Sequence, residues 1–384
     1  MIGLFNDSYP PIMDGVALTV QNYAYWLHRK NQPVCVVTPK TPEYVDEATY
    51  PVYRYASLPL LGRKPYRLGL PYVDIPFQKT IKRTPFKLIH AHCPFSSARV
   101  ALGLAKQQHI PLVATFHSKF RDDFKRAVNN KQITQWMLND VIRFFEAADE
   151  VWIPQASVED TIREYGYKGK LEVVNNGTDF SADENIDGLK QQARTALHIP
   201  AGMPVFLFVG QHIWEKNTRL IMEALALMSA VPFKMFFIGT GYAAKELQQL
   251  AIQHDLQSKV EFLGLITDRK RLQQYYTAAD LLLFPSLYDN APLVVREASA
   301  MHTPAILVKD STAAEIVTDN YNGFLTENAS DSLAQRIQTL LKTPEVIKEA
   351  GENASKTIAR SWNDITEEVL SRYSFLIKKH GNKM

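Results

Sequence analysis

The chain has 384 residues, 46% of them hydrophobic and 22% charged, with a net charge of +3; that length calls for two domains of roughly 180 residues rather than one core, and that balance excludes a disordered polyelectrolyte. No apolar run of about 18 residues occurs, so no transmembrane helix is expected. Two cysteines, Cys35 and Cys93, exclude a disulfide framework and read as buried free thiols in a reducing compartment.

From the amino end, Met1–Phe5 reads as a first strand, because a signal peptide needs a basic start and a longer apolar core. Gly15–Lys30 reads as a helix with Val16, Val20, Tyr23 and Leu27 on one face. Val34–Thr38 is a second strand. Leu88–His92, Leu112–Thr115, Val151–Pro154 and Leu171–Val174 are further short strands separated by helical segments. This alternation predicts a doubly wound parallel sheet. No G-x-G-x-x-G follows the first strand, which argues against a dinucleotide cofactor. Instead the strand leads through Ser8–Met13 to Asp14-Gly15-Val16, where a glycine at a helix start allows a ligand close to the backbone. Ligands of open α/β sheets bind beyond the carboxyl ends of strands, and His92 and His117 fall there. The His90/His92 pair lacks an apparent third ligand for zinc.

The modest net charge conceals a basic stretch. Arg54 to Lys131 holds 15 Lys and Arg against Asp74, Asp122 and Asp123, a local +12. Its clusters are Arg63-Lys64-Pro65-Tyr66-Arg67, Lys79/Lys82/Arg83/Lys87 and Lys119/Arg121/Lys125/Arg126, interleaved with Tyr66, Leu68, Leu70, Phe77, Phe86, Phe116 and Phe120. No nucleic-acid-binding motif accompanies them, so no nucleic-acid partner is expected. An anionic membrane surface or an anionic acceptor is, with Arg63, Lys64, Lys119 and Arg121 on that face.

Asn175-Asn176-Gly177-Thr178-Asp179 closes the first domain and Ser181–Gln192 carries a linker. A second domain restarts at Pro204–Gly210, followed by Gln211-His212-Ile213-Trp214-Glu215-Lys216-Asn217. Phe236–Gly241 is a strand and a tight turn. Leu281–Phe284 is an apolar run closed by Pro285-Ser286, the pattern of a buried parallel strand. After the loop Tyr288–Ala291, Pro292 opens a helix, a residue suited to the first helical position. Glu297 lies one turn in, eight residues after Asp289. A helix start holds a phosphate and a nearby carboxylate accepts from hydroxyls. Phosphate plus polyol describes a nucleotide sugar. The sequence contains no Asp-x-Asp pair, so metal independence is expected. Trp362–Lys379 reads as a final amphipathic helix. The expected domains are residues 1–185, 186–360 and, for the final helix, 361–384.

Asp289 and Glu297 resemble the E-x7-E signature of retaining glycosyltransferases with the GT-B fold, family GT4 (group 1). Asp14-Gly15-Val16 is similar to that family's G-G-V loop, Asn176–Asp179 to its N-G-V-D turn, Gly210–Asn217 to its G-R-x3-E-K-G/N segment, and Gly239-Thr240-Gly241 to its G-x-G turn. Val260–Ile266 resembles the strand and turn that cradle the nucleobase. Thr115–Asp123 resembles the matching segment of bacterial diacylglycerol glucosyltransferases. The chain departs from the family at Asp289, where Glu is usual, at Asn290-Ala291-Pro292 in place of a glycine-rich loop, at Asp14 in place of glycine, and at Gln211 in place of a phosphate-binding Arg.

The resemblance implies an α/β protein of the GT-B class, two Rossmann-like doubly wound parallel-sheet domains facing across a cleft. The first domain would bind the acceptor, the second the nucleotide sugar, and the final helix would cross back to the first. It implies transfer of a hexose with retention, with Lys216, Asp289 and His117 as catalytic residues. Gly15, Gly210, Gln211, Gly239, Ile266, Leu293, Val294 and Glu297 would bind the donor. The partners implied are a nucleotide-sugar donor and a lipid or glycan acceptor, with no cofactor and no metal, in a cytoplasmic enzyme peripheral at the inner face of a cell membrane. Two other readings share the fold: a nucleotide-sugar 2-epimerase, and a non-catalytic sugar-nucleotide-binding protein. Product analysis with and without acceptor separates all three.

Overall fold

Short apolar runs alternating with amphipathic helices build two parallel sheets, in a computed structural model that describes residues 1–60, 65–128, 130–181 and 185–382. One compact unit is Met1–Asn176 with Trp362–Met384; the other is Gly177–Ser361.

The strands of the first unit are β1 (Ile2–Phe5), β2 (Val34–Pro39), β3 (Val52–Tyr55), β4 (Ser57–Pro59), β5 (Arg67–Gly69), β6 (Leu88–Ala91), β7 (Leu112–Thr115), β8 (Glu150–Ile153) and β9 (Leu171–Val173). Seven form one sheet in the order β3-β2-β1-β6-β7-β8-β9, every pair parallel. The order reverses between β1 and β6, which makes their carboxyl ends a topological switch point, the place where open α/β sheets leave a crevice for ligands. β1, β2, β6 and β7 are buried along their whole length, which is why they read as unbroken apolar runs. β3 escaped the sequence reading because its Val-Tyr-Arg-Tyr is short, polar and half-buried at a sheet edge.

β4 and β5 form a separate antiparallel hairpin with Leu58 directly opposite Leu68. Helix Gly15–Arg29 buries Ala17, Thr19, Val20, Tyr23, Ala24 and Leu27, while Val16, expected on that face, is only half-buried in the first turn. Helix Trp362–Gly381 buries Trp362, Ile365, Thr366, Val369, Tyr373 and Leu376, a stripe at helical spacing. It packs on Gly15–Arg29, with Trp362 and Tyr23 ring centroids 5.7 Å apart. Cys35 is buried as expected, but Cys93 only partly.

The second unit holds β10 (Val205–Val209), β11 (Lys234–Ile238), β12 (Val260–Gly264), β13 (Leu281–Phe284), β14 (Ala305–Val308) and β15 (Phe324–Thr326). They form one parallel sheet in the order β12-β11-β10-β13-β14-β15. Here the switch point lies between β10 and β13. Among the described residues no helix is long and apolar enough to cross a membrane.

Candidate active site

In the second unit the switch point collects the residues that the motifs single out. Gly210 follows β10 and Gly239 follows β11, and these two turns touch. A Cβ at Gly239 would stand 1.9 Å from the Gly210 carbonyl oxygen, and φ there is +133°. A Cβ at Gly241 would stand 2.3 Å from the His212 carbonyl oxygen. Only glycine allows that approach. Gln211 is exposed and uncharged. His212 is 1% exposed, neither ring nitrogen has a partner, and burial pushes its pKa down to about 4. The cation of this segment is therefore Lys216.

Lys216 closes a short 3-10 turn, Trp214–Lys216, and its ammonium donates to Asp289 Oδ1 in the loop after β13. Phe284 and Tyr288 present their ring faces to it, with centroids 5.8 and 5.6 Å away. The second oxygen of Asp289 is buried without a hydrogen-bond partner. Helix Leu293–Ala300 follows, with Pro292 at its N-cap and not inside its first turn. Leu293 is buried and Val294 half-buried at its start, and Ile266 is buried after β12.

Glu297 is 5% exposed and both its oxygens are engaged. Oε1 accepts from Arg269 at 2.7 Å and Oε2 from the Tyr276 hydroxyl at 2.7 Å. Arg269 also donates to Asp179 at 3.0 Å through Nε, and its guanidinium lies 4.2 Å from the Phe180 ring centroid. Burial alone would lower the pKa of Arg269, but Glu297 and Asp179 outweigh it and raise the value. The sequence reading missed Arg269 and Tyr276. Their signal, an Arg and a Tyr seven apart on helix Arg269–Ala278, is indistinguishable from a solvated face until the partner helix is known.

In the first unit, Gly15 opens its helix, and a Cβ there would meet nothing within 4 Å. Asp14 is the N-cap: its Oδ1 accepts from the Ala17 amide at 2.8 Å. That role accounts for an acid where the family has glycine. At the carboxyl ends of β6 and β7 lie His92 and His117, with Nδ1 of the first 3.1 Å from Nε2 of the second. Burial pushes the pKa of His117 down to about 3. The His90 ring lies against that of His92, with both of its nitrogens bonded, to Tyr373 and Thr115.

The basic stretch is partly neutralised by acids outside it. Arg54 pairs with Asp46, Arg99 with Asp140 and Arg121 with Glu164. Arg121 also lies over the Tyr165 ring, while Lys119 is partly buried at the N-cap of helix Phe120–Ala127. Arg63 and Lys64 lie outside the described residues. Lys79, Lys82, Arg83 and Lys87 are exposed. Four of the aromatic residues expected on that surface, Phe77, Phe86, Phe116 and Phe120, are core residues, at most 6% exposed. Ring burial inside the unit outweighs interleaving along the chain. Among the described residues of this stretch, the large apolar side chains left exposed are Leu58, Leu60, Leu68, Tyr72, Val73, Ile75 and Phe95.

Two family models cover most of the chain: Glycosyltransferase Family 4 over residues 13–182 and Glycosyl transferases group 1 over residues 190–357. The chain belongs to the GT-B glycosyltransferases of family GT4. Its relatives agree. The Alpha-monoglucosyldiacylglycerol synthase of Streptococcus pneumoniae is 24% identical to this glycosyltransferase over 355 residues, covering 90% of this chain and 79% of the relative. The sucrose-phosphate synthase structure from Thermosynechococcus elongatus superposes with a TM-score of 0.81 at 22% identity, covering 98% of this chain and 99% of the other. The HepE structure from Anabaena, in complex with UDP and glucose, superposes with a TM-score of 0.75 at 20% identity, covering 97% and 99%. Among the described residues of the glycosyltransferase, no three His, Cys, Asp or Glu side chains group to hold a metal ion.

Proposed function

We propose that this glycosyltransferase moves a hexose, with retention and without a metal ion, from a nucleoside diphosphate sugar to a lipid acceptor. The observation that carries the reading is the Lys216–Asp289 pair at the switch point of the second sheet, between β10 and β13. A cation and a carboxylate held there match the two ends of a sugar diphosphate. Breaking the bond from the anomeric carbon to the diphosphate leaves an electron pair on the leaving oxygen and a cationic sugar ring. Lys216 and the first amides of helix Leu293–Ala300 stabilise the departing charge. Asp289 and, in the first unit, His117 orient the hexose. Glu297 anchors the ribose hydroxyls through its remaining lone pairs, since a carboxylate offers about four acceptor sites and Arg269 and Tyr276 occupy two. Gly15, Gly210 and Gly239 let backbone approach the donor, Gln211 meets the diphosphate without adding charge, and Ile266, Leu293 and Val294 pack against the nucleoside.

A UDP-sugar donor is supported by the UDP named in the Anabaena structure. A diacylglycerol-type acceptor and an alpha linkage are supported by the name of the streptococcal relative. A place on an anionic membrane is supported by the exposed apolar Leu58, Leu68, Tyr72, Val73 and Ile75 together with the exposed Lys79, Lys82 and Arg83 of the same basic stretch. The absence of any Asp-x-Asp pair supports metal independence.

The test is incubation with UDP-glucose, UDP-galactose or GDP-mannose and diacylglycerol in anionic mixed micelles, with and without EDTA. The expected product is a glycolipid whose anomeric proton shows the alpha configuration, at a yield that EDTA leaves unchanged. An epimerised donor with no glycoside would replace the reading by an isomerase. Neither product, with donor bound, would make the protein non-catalytic.

A further inference from the structure

Three imidazoles stand in a row at the carboxyl ends of β6 and β7. His90 is satisfied on both nitrogens, Nδ1 by the Tyr373 hydroxyl at 2.5 Å and Nε2 by Thr115 Oγ1 at 2.7 Å. The His92 ring lies against it, centroids 3.9 Å apart. His92 Nδ1 then meets His117 Nε2 at 3.1 Å, with the two rings 20° from parallel. His92 is 1% exposed, and its Nε2 is buried with no hydrogen-bond partner.

Burial holds His90 and His92 well below the ordinary histidine range and takes His117 to about 3, so at neutral pH each ring carries a single proton. Two neutral imidazoles in hydrogen-bond contact need one N–H and one lone pair between them. Were His117 Nε2 the donor, the proton of His92 would sit on its own Nε2, a buried N–H without an acceptor. Orphaned buried donors are the rarer kind of unsatisfied group. The reverse arrangement leaves only a bare lone pair on His92 Nε2 and makes Nδ1–H the donor to His117 Nε2.

We propose that His92 is a positioning residue: donating from Nδ1, it locks His117 as the Nδ1–H tautomer and fixes the plane of its ring. The role in transfer rests on the reading of His117 as a residue that orients the hexose; the tautomer does not. His117 would then work as a neutral donor whose proton always sits on the nitrogen turned away from His92, and its orienting power would not change between pH 6 and 8.

The experiment is long-range 1H–15N correlation on full-length protein labelled at histidine, with His117 assigned by subtraction of His117→Ala, alongside transfer kinetics. In the wild type His117 is expected as the Nδ1–H form across pH 6 to 8. His92→Phe keeps a flat ring but removes the donor, and is expected to release His117 into a tautomer mixture and to lower kcat about tenfold with donor KM changed less than threefold. His92→Asn places an amide N–H near the position of Nδ1, and is expected to restore both the single tautomer and most of kcat. If His92→Phe does not fold, the His92→Asn comparison alone still decides, since a purely structural role predicts no single His117 tautomer there. An Nε2–H form of His117 in the wild type, or a tautomer unchanged in His92→Phe, would overturn the proposal. The expected tautomers with transfer unaffected in both His117→Ala and His92→Phe would instead overturn the role given to His117.

Discussion

Arg269 holds Glu297. The guanidinium donates to one carboxylate oxygen at 2.7 Å while Tyr276 donates to the other, so the second acid of the Asp289/Glu297 pair is an anchored group with a fixed direction. The same Arg269 binds Asp179, which ties the turn at the start of the second unit to the helix that carries Glu297. A carboxylate held in this way offers its remaining lone pairs at a set angle, which is what the role proposed for it, holding two neighbouring ribose hydroxyls, requires.

Glu297→Gln is expected to weaken donor binding more than it slows chemistry. Losing charge-assisted bonds to hydroxyls costs about 1.5–3 kcal/mol, or roughly ten- to a hundredfold in donor Kd. Titration calorimetry with UDP and UDP-glucose reads this directly. An unchanged Kd would remove Glu297 from the ribose site.

Arg269→Met should act in the same direction with a smaller effect, by leaving Glu297 buried with Tyr276 as its remaining partner and Asp179 without its cation. A lower Tm together with weaker donor binding is the expected pair. Tighter binding would mean that Arg269 competes with the donor for Glu297.

Lys216→Ala is expected to lower kcat/KM by about 2–4 kcal/mol, the scale of removing one electrostatic group from a developing anion. Because Asp289 would then be partly buried without its cation, Asp289→Asn in the same chain should recover stability but not rate. Unaltered turnover in a folded Lys216→Ala protein would place the diphosphate elsewhere.

Stability should fall as pH drops from about 6.5 toward 4. The unfolded histidines bind protons at about 6.5, whereas burial keeps His90, His92 and His117 neutral in the fold and sets His212 at about 4. The unfolded state therefore takes up protons across that window and gains relative stability. Asp7 and Asp14, raised by burial, act in the opposite direction, because the folded state takes up their protons before the unfolded state does. His212→Leu, caged by Phe208, Phe237 and Phe262, is expected to raise stability by about 2 kcal/mol more at pH 5 than at pH 8. Thermal unfolding at the two pH values tests it; an equal gain at both would show that His212 protonates freely in the fold.

Leu58→Glu with Leu68→Glu should weaken docking on anionic vesicles at least tenfold while leaving the fold intact. These two side chains are 55% and 51% exposed and stand opposite each other on the hairpin. Each juxtamembrane cation contributes about 1 kcal/mol at an anionic surface, and inserted apolar groups reduce the salt dependence. Sedimentation at low and physiological salt checks both terms. Equal, negligible binding of the wild type to neutral and anionic vesicles at low salt would leave the exposed leucines without a membrane.

What the sequence by itself determined is the parallel αβ order and the glycine turns that follow its strands. A strand buried on both faces must be an unbroken apolar run, as in Val205–Val209 and Leu281–Phe284. A turn against another backbone must be glycine, as at Gly239. Those constraints act on neighbouring residues and are therefore written in local order. Only the tertiary structure decided which charges meet. The Lys216–Asp289 contact spans 73 positions and Arg269–Glu297 spans 28, and no local pattern encodes either. The same holds for the basic stretch, whose +12 along the chain is reduced by Asp46, Asp140 and Glu164 folding onto it, and for Phe77, Phe86, Phe116 and Phe120, which the fold buries. Burial and ion pairing depend on which elements pack together, and that is a property of the sheet order rather than of any one segment.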